Sequence, residues 1–204
     1  MTTGNTASGT FYVFNKKEQP VPIVFIHGVG LTYEIWQPQL NFFKNYSNLS
    51  YDILGHGKSS LTKQNISFDD FSEQLIELIV ELKIEKIHLI GFSIGSLIAR
   101  NFATRYSERL QSLILLGSIY KRSEQQHKIL NERFDQAKKE LKLSRQALKR
   151  WFTDKYIENN PDIYEKISSI LSANNIANFL RVYELFVRHK NDEEFEKILS
   201  LIHI

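Results

Sequence analysis

The chain has no cysteine in its 204 residues, which excludes a disulfide framework, a thiolate nucleophile and any cysteine-ligated metal. Glycine and proline are scarce and unevenly placed: all nine glycines lie at or before Gly117, and three of the four prolines lie at or before Pro38. Backbone punctuation therefore nearly vanishes from the second half. No stretch approaches the roughly 20 consecutive apolar residues that span a bilayer. The first ten residues, MTTGNTASGT, hold neither the basic start nor the apolar stretch of a signal peptide. A soluble, cytoplasmic chain with no membrane partner is expected, which removes weight from the sequons at Asn45, Asn48 and Asn65. An excess of one charge sign is lacking too. Residues 1–118 carry 10 basic and 10 acidic side chains, and residues 119–204 carry 16 and 13, interspersed, so no nucleic-acid partner is expected.

The sequence is 42% hydrophobic, enough for one core and too short for two large independent domains. It has two regimes. In the first, short β-rich runs (Thr10 to Phe14, Val21 to Ile26, Leu49 to Leu54, Lys86 to Gly91 and Leu110 to Leu116) alternate with predicted helices at Glu34 to Tyr46, Phe68 to Leu82 and Ser93 to Tyr106. Strand then helix, repeated, implies an α/β fold with an open, mostly parallel sheet, whose ligands gather at the carboxyl ends of the strands. From Ile119 the pattern is helical and charged, with predicted helices at Arg122 to Leu143, Ser144 to Tyr156, Pro161 to Ser172, Asn174 to Arg188 and Asp192 to Leu201. The expected division is a core over residues 1–118 and a helical cap over residues 119–204.

The strongest chemical signal is Gly91-Phe92-Ser93-Ile94-Gly95, between a predicted strand and the helix that follows it. In a nucleophile elbow the turn is so tight that the flanking positions must be glycine, and the serine Oγ is thrust out above the sheet. The plainer reading is a glycine-bracketed turn holding an incidental serine; the strand and helix on either side favour the elbow. The second signal is His27-Gly28-Val29-Gly30, just after Val21 to Ile26, where a loop can aim a backbone N–H at a carbonyl oxygen held over Ser93. Val29 and Ile94 N–H are the expected oxyanion donors, with Gly28, Gly30, Gly91 and Gly95 supporting the two motifs. His27 is open to two readings, general base or loop brace, and its place beside the hole favours the brace. Third, in Tyr51-Asp52-Ile53-Leu54-Gly55-His56-Gly57-Lys58-Ser59, Asp52 and Ser59 are expected to bond backbone N–H groups of a tight turn. Gly57-Lys58-Ser59 is no phosphate loop, because the first glycine of that pattern would fall at Asp52.

These motifs, in this order and followed by a helical insertion after Gly117, resemble the α/β-hydrolase fold family, in its capped esterase and enol-lactonase branch. Gly91 to Arg100 together with Tyr51 to Ser59 is similar to 3-oxoadipate enol-lactonases, and related esterases and C–C bond hydrolases share these stretches. The resemblance covers Val21 to Gly117 closely and the cap only in architecture. It implies a serine hydrolase acting on a carboxylic ester or lactone through an acyl-enzyme, with no cofactor and no metal. It also implies a triad acid and histidine on strands after the cap. The chain ends at Leu199-Ser200-Leu201-Ile202-His203-Ile204, where the acid-bearing strand is expected to begin. The last strand-helix units are thus expected to be missing, the Leu113 to Leu116 strand to be an exposed edge, and the polypeptide to be nearly inactive. His127 and His189 are read as surface residues, His88 as a core or edge residue, and His203 as unpositioned. Trp151, Phe152, Tyr156, Phe179, Tyr183 and Phe186 either line an acyl pocket or pack cap helices together. The rival functional readings are a non-catalytic small-molecule-binding module of hydrolase fold, a C–C bond hydrolase, and an enzyme completed by a second chain.

Overall fold

The computed structural model describes residues 1–18, 21–140, 148–190, 198 and 202–203. Among these residues seven strands form one sheet: β1 (Thr2–Asn5), β2 (Phe11–Asn15), β3 (Ile23–Ile26), β4 (Asn48–Tyr51), β5 (Ile87–Phe92), β6 (Leu110–Leu116) and β7 (Ile202–His203). Their spatial order is β1-β2-β4-β3-β5-β6-β7. The ladders from β4 through β7 are all parallel, while β1–β2 and β2–β4 are antiparallel. The order reverses direction around β3, so the loops leaving β3 and β5 diverge from neighbouring strand ends, where open α/β sheets form their crevice.

The helices of the first half are α1 (Gln37–Phe42), α2 (Phe68–Glu81) and α3 (Ile94–Arg105). On α2, the three- and four-residue spacing of Phe71, Leu75, Leu78 and Ile79 sets one buried stripe, which packs with Val24, Ile26, Leu49 and Leu89 of the sheet and Leu97, Ile98 and Phe102 of α3. Each such side chain contributes about 1.5–3 kcal/mol by leaving water. Phe25 points to the opposite face and packs with Trp36 and Leu40. β3 is therefore apolar on both faces, as a central parallel strand must be.

The predicted helix at Glu34 to Tyr46 is shorter in the fold: a 3₁₀ turn at Tyr33–Trp36 leads into α1, which stops at Phe42. The cause lies in two asparagines. Asn48 Nδ2 donates to the Phe43 and Tyr46 carbonyls at 2.9 and 3.0 Å, and Asn15 Nδ2 donates to those of Lys44 and Tyr46 at 3.0 and 3.2 Å, drawing the chain out of helical register. β1 is small and polar with no alternation, and it was not predicted.

After Gly117 come α4 (Glu124–Glu140), α5 (Leu148–Trp151), α6 (Asp154–Asn159), α7 (Pro161–Ser172) and α8 (Ile176–Arg188). The single helix expected at Ser144 to Tyr156 is two short ones over its described part. Thr153 takes an extended conformation and accepts the Tyr156 N–H, so it starts α6 as an N-cap. Asn175 does the same for α8 by accepting the Asn178 N–H. The predicted helix at Asp192 to Leu201 lies outside the described residues, apart from residue 198, as does the end of the one at Arg122 to Leu143. Two expectations need correction. Ile202 and His203 return to the sheet, pairing with Leu113 and Ile114, so the helical region stops short of residue 204. The Leu113 to Leu116 edge is also partly covered, although Leu116 stays 40% exposed.

The helical segment stands over the carboxyl ends of β3 and β4. Leu31, just beyond β3, is buried with Leu148, Ile170 and Leu171. Arg181 Nη1 donates to the Lys63 carbonyl at 2.8 Å. Arg122 holds the far end of α8 through the carbonyls of Phe186 and His189, at 3.0 and 3.2 Å, where a cation also meets the negative end of the helix. Among the described residues no helix is long and apolar enough to cross a membrane.

Candidate active site

Ser93 joins β5 to α3 with φ +56° and ψ −119°, a conformation that costs a residue bearing Cβ about 1–3 kcal/mol. The surroundings hold it there. Its N–H donates to the Leu116 carbonyl at the end of β6, at 2.9 Å. Its own carbonyl accepts the Ser96 N–H at 2.9 Å and the Ser96 hydroxyl at 2.5 Å. The flanking glycines are demanded by contact: a Cβ on Gly95 would lie 2.6 Å from the Ile26 carbonyl oxygen and 2.7 Å from that of His27, and one on Gly91 would strike the Gly95 carbonyl. Helix α3 is thereby seated directly on the end of β3. The Ser93 side chain is half-buried and its Oγ bonds no described residue.

The loop after β3 comes to the same place. Ile26 is in register with Gly91, and a Cβ on Gly28 would sit 3.2 Å from the Phe92 ring. Gly30 has φ +77°, which a residue with Cβ adopts only under strain. Its N–H donates to His56 Nε2 at 2.8 Å, and its carbonyl accepts Asn174 Nδ2 from the helical segment at 2.7 Å. The N–H groups of Val29 and Ile94 donate to none of the described residues, and Ile94 opens α3, where helix geometry leaves its amide unspent.

His27 is fully buried, and both ring nitrogens bond the backbone. Nε2 accepts the Ile53 N–H at 3.1 Å, so Nδ1 carries the proton and donates to the Gly28 carbonyl at 2.8 Å. His56 has the same tautomer, accepting from Gly30 at Nε2 and donating from Nδ1 to the Leu54 carbonyl at 3.2 Å. Burial pushes His27 down to about 4. Burial, joined by the neighbouring His27, pushes His56 down to about 3. Both rings are neutral braces in this arrangement. Asp52, also buried, accepts the Tyr33 and Lys58 N–H groups at 2.8 and 2.9 Å; burial raises its carboxyl while those two bonds pull it back. Ser59 Oγ accepts the Phe11 N–H at 2.9 Å and donates to the Asp52 carbonyl at 2.6 Å.

Three residues of this network were not singled out from sequence: His56, Gln74 and Asn174. Gln74 bonds the Leu54 N–H and the Asp52 carbonyl from α2; its one signal was a polar side chain beside the buried stripe. The remaining histidines lie elsewhere. His88 Nδ1 pairs with Ser112 Oγ across β5 and β6 at 2.8 Å, His127 is on α4, His189 packs edge-on against Phe68, and His203 is on β7. Among the described residues no imidazole reaches Ser93. Of the aromatic residues after Gly117, Tyr183 packs against Phe134, Phe179 and Phe186, Phe152 stacks on Tyr156, and Trp151 is 47% exposed. Beside the Gly30 loop a cleft of about 380 Å³ opens between α7 and the core turns, with Lys58 and Lys166 set against Glu34 and Asp52. No three His, Asp or Glu side chains converge as metal ligands among the described residues.

A strained serine between β5 and α3, facing a glycine loop with a free amide, is the arrangement to set beside known proteins. Residues 21–162 match the family model of the α/β hydrolase fold. The chain belongs to the α/β hydrolase fold family. It is 30% identical over 168 residues, 82% of its own length, to the (E)-2-((N-methylformamido)methylene)succinate hydrolase of Acinetobacter baylyi. It is 27% identical over 171 residues, 83% of its length, to 3-oxoadipate enol-lactonase 2 of the same organism. The chain spans 63% and 64% of the lengths of these two hydrolases. The crystal structure of the enol-lactonase from Burkholderia xenovorans superposes with a TM-score of 0.80 at 19% identity, covering 98% of this chain and 79% of that one; at that identity the likeness is one of fold.

Proposed function

We propose that this chain carries the nucleophile and oxyanion hole of a serine hydrolase acting on a carboxylic ester or lactone, with α4–α8 serving as the cap over its acyl pocket. The observation that carries the reading is Ser93, held at positive φ at the carboxyl end of β5 beside two amides that have no acceptor among the described residues. Ser93 Oγ attacks the acyl carbon, and the carbonyl electron pair moves onto oxygen, where the Val29 and Ile94 N–H groups receive it. Collapse breaks the bond to the leaving oxygen and forms an acyl-enzyme, which water then hydrolyses. A relative named as an enol-lactonase supports an acyl–oxygen substrate over a C–C bond.

The Oγ proton needs a base, and the two buried histidines spend their basic nitrogens on backbone amides. The 204-residue polypeptide is therefore expected to react slowly, with the hole and substrate binding supplying the residual rate of about 10³–10⁴ over water that remains when a triad is incomplete. The test is labelling with a fluorophosphonate probe, and turnover of p-nitrophenyl esters and an enol-lactone, for wild type and Ser93→Ala. Modification mapped to Ser93 and absent from Ser93→Ala is expected. No modification of the folded wild type, together with binding of a small ester without turnover, would favour the non-catalytic binding module instead.

A further inference from the structure

The two amides assigned to the oxyanion share a feature that their positions alone do not require. A trans peptide sets its N–H opposite its C=O, so whatever holds the carbonyl aims the amide. The Val29 N–H belongs to the Gly28–Val29 peptide, whose carbonyl accepts His27 Nδ1–H at 2.8 Å and the Leu31 N–H at 3.2 Å. That Leu31 N–H belongs in turn to the Gly30–Leu31 peptide, whose carbonyl accepts Asn174 Nδ2 at 2.7 Å. Three donors thus run head to tail from Asn174, through two peptide groups, to Val29. The Ile94 N–H belongs to the Ser93–Ile94 peptide, whose carbonyl accepts both the amide and the hydroxyl of Ser96.

We infer that Asn174 and Ser96 are positioning residues that aim and polarise the two oxyanion donors through their carbonyl ends; the inference rests on the reading of Val29 and Ile94 as those donors. Chains of hydrogen bonds polarise one another, more so away from water, and Ser96 is fully buried. Asn174 sits where α7 hands over to α8, and its Nδ2 also meets the Ile170 and Leu171 carbonyls at 3.0 and 3.1 Å. Leu31, the residue that passes the chain on, packs against those same two side chains. The helical segment therefore reaches the hole through one amide group, and a substrate that shifts α7 alters the aim of Val29.

The experiment uses the full 204-residue chain. Amide NMR of Val29 and Ile94 is followed in Ser96→Ala, Asn174→Ala and Ser172→Ala; Ser172 Oγ bonds the Ser168 carbonyl at the same end of α7, so its variant removes a hydroxyl from that end of the helix without touching the loop. Ser96→Ala is expected to move the Ile94 amide proton upfield, Asn174→Ala to do so for Val29, and Ser172→Ala to move neither. Fluorophosphonate labelling of Ser93 should slow about tenfold in the first two variants, in the phosphonylation rate rather than in probe affinity. Unmoved Val29 and Ile94 amides in folded variants overturn the inference, as do moved amides with unchanged labelling. Should wild type take no label at all, the hydrolase reading fails, and the amides alone decide whether the relay exists. Ser96→Ala lies away from the end of α7, so it decides the Ile94 arm even if Asn174→Ala does not fold.

Discussion

Residues 21–117 and residues 118–190 keep their shapes by different means. The first region holds seven of the nine glycines, six of them where backbone meets backbone or turns sharply, and fills the gaps with buried polar side chains, His27, Asp52, His56, Ser59 and Gln74, each bonded to main chain. The second has no glycine and stands on amphipathic stripes, with Phe134 of α4 buried in one cluster with Val182 and Phe186 of α8, and Phe179 buried beside Tyr183. Shape in the first region depends on contacts that tolerate no added atom. In the second it depends on apolar area, which tolerates repacking. Under the function proposed above, an elbow must hold one serine at an unfavourable φ, whereas helices over a pocket need only present a surface, and the division of means follows that division of task.

The sharpest way to break the comparison is Gly95→Ala. The new methyl would meet two backbone carbonyls, those of Ile26 and His27, at 2.6 and 2.7 Å, and neither can yield unless α3 lifts off β3. A loss of about 3 kcal/mol or more is expected in urea unfolding, against less than about 0.5 kcal/mol for Ser172→Ala on α7. A Gly95→Ala protein within about 1 kcal/mol of wild type would show that the close approach is not needed. Phe179→Ala asks the converse question. Phe179 is 1% exposed, with its ring 5.4 Å from that of Tyr183, and its truncation is expected to cost about 3 kcal/mol. Hydrogen exchange should find that loss in α4 and α8, with β3, β5 and α3 unchanged; equal loss everywhere would make the two regions one cooperative unit.

The same division decides what the sequence could disclose. The tight turn at Gly91 to Gly95 and the loop at His27 to Gly30 were legible because glycine at fixed spacing beside a strand end has few other uses. The α2 stripe was legible from its period. The bonds across the site were not: Asn174 reaches Gly30 over 144 residues of sequence, and nothing local marks an asparagine at a helix junction as its partner. Nor did the sequence disclose where α1 ends, since that is set by Asn15 and Asn48 from two strands. Thr153 and Asn175 are N-cap residue types, but their effect on the boundaries shows only once the neighbouring turns are placed.

A milder probe of the first region is acid. His27 and His56 are held neutral, pushed by burial from 6.5 down to about 4 and about 3. Between those values and 6.5 the unfolded chain binds the extra protons, so their contribution to stability is fully present above pH 6.5 and is lost as the pH falls toward 4. Near pH 5 each contributes a slope of about 1.4 kcal/mol per pH unit. Asp52 works the other way, its raised carboxyl favouring the fold most below 3.8 and less as the pH rises. His27→Gln should therefore flatten the dependence of urea stability on pH by about 1.4 kcal/mol per unit around pH 5; an unchanged slope would mean that His27 is not buried neutral.

The smallest effect sharpens the contrast at two helix starts. Ser67 opens α2 with two bonds, its hydroxyl and N–H both donating to the Asp70 carboxylate, whereas Asn175 opens α8 with a single bond, its Oδ1 accepting the Asn178 N–H. Removing Asn175 as Asn175→Ala leaves that amide without its cap and is expected to cost about 1 kcal/mol. Ser67→Ala leaves Asp70 still bonded to the residue 67 N–H and should cost about half as much. Where the loss is felt matters more than its size. In exchange measurements the Asn175 change should fray the first turn of α8, and the Ser67 change should stay small across α2, whose stripe is buried on the sheet. If Ser67→Ala frays α2 more than Asn175→Ala frays α8, apolar burial is not what holds the first region's helices, and the contrast between the regions lies in the loops alone.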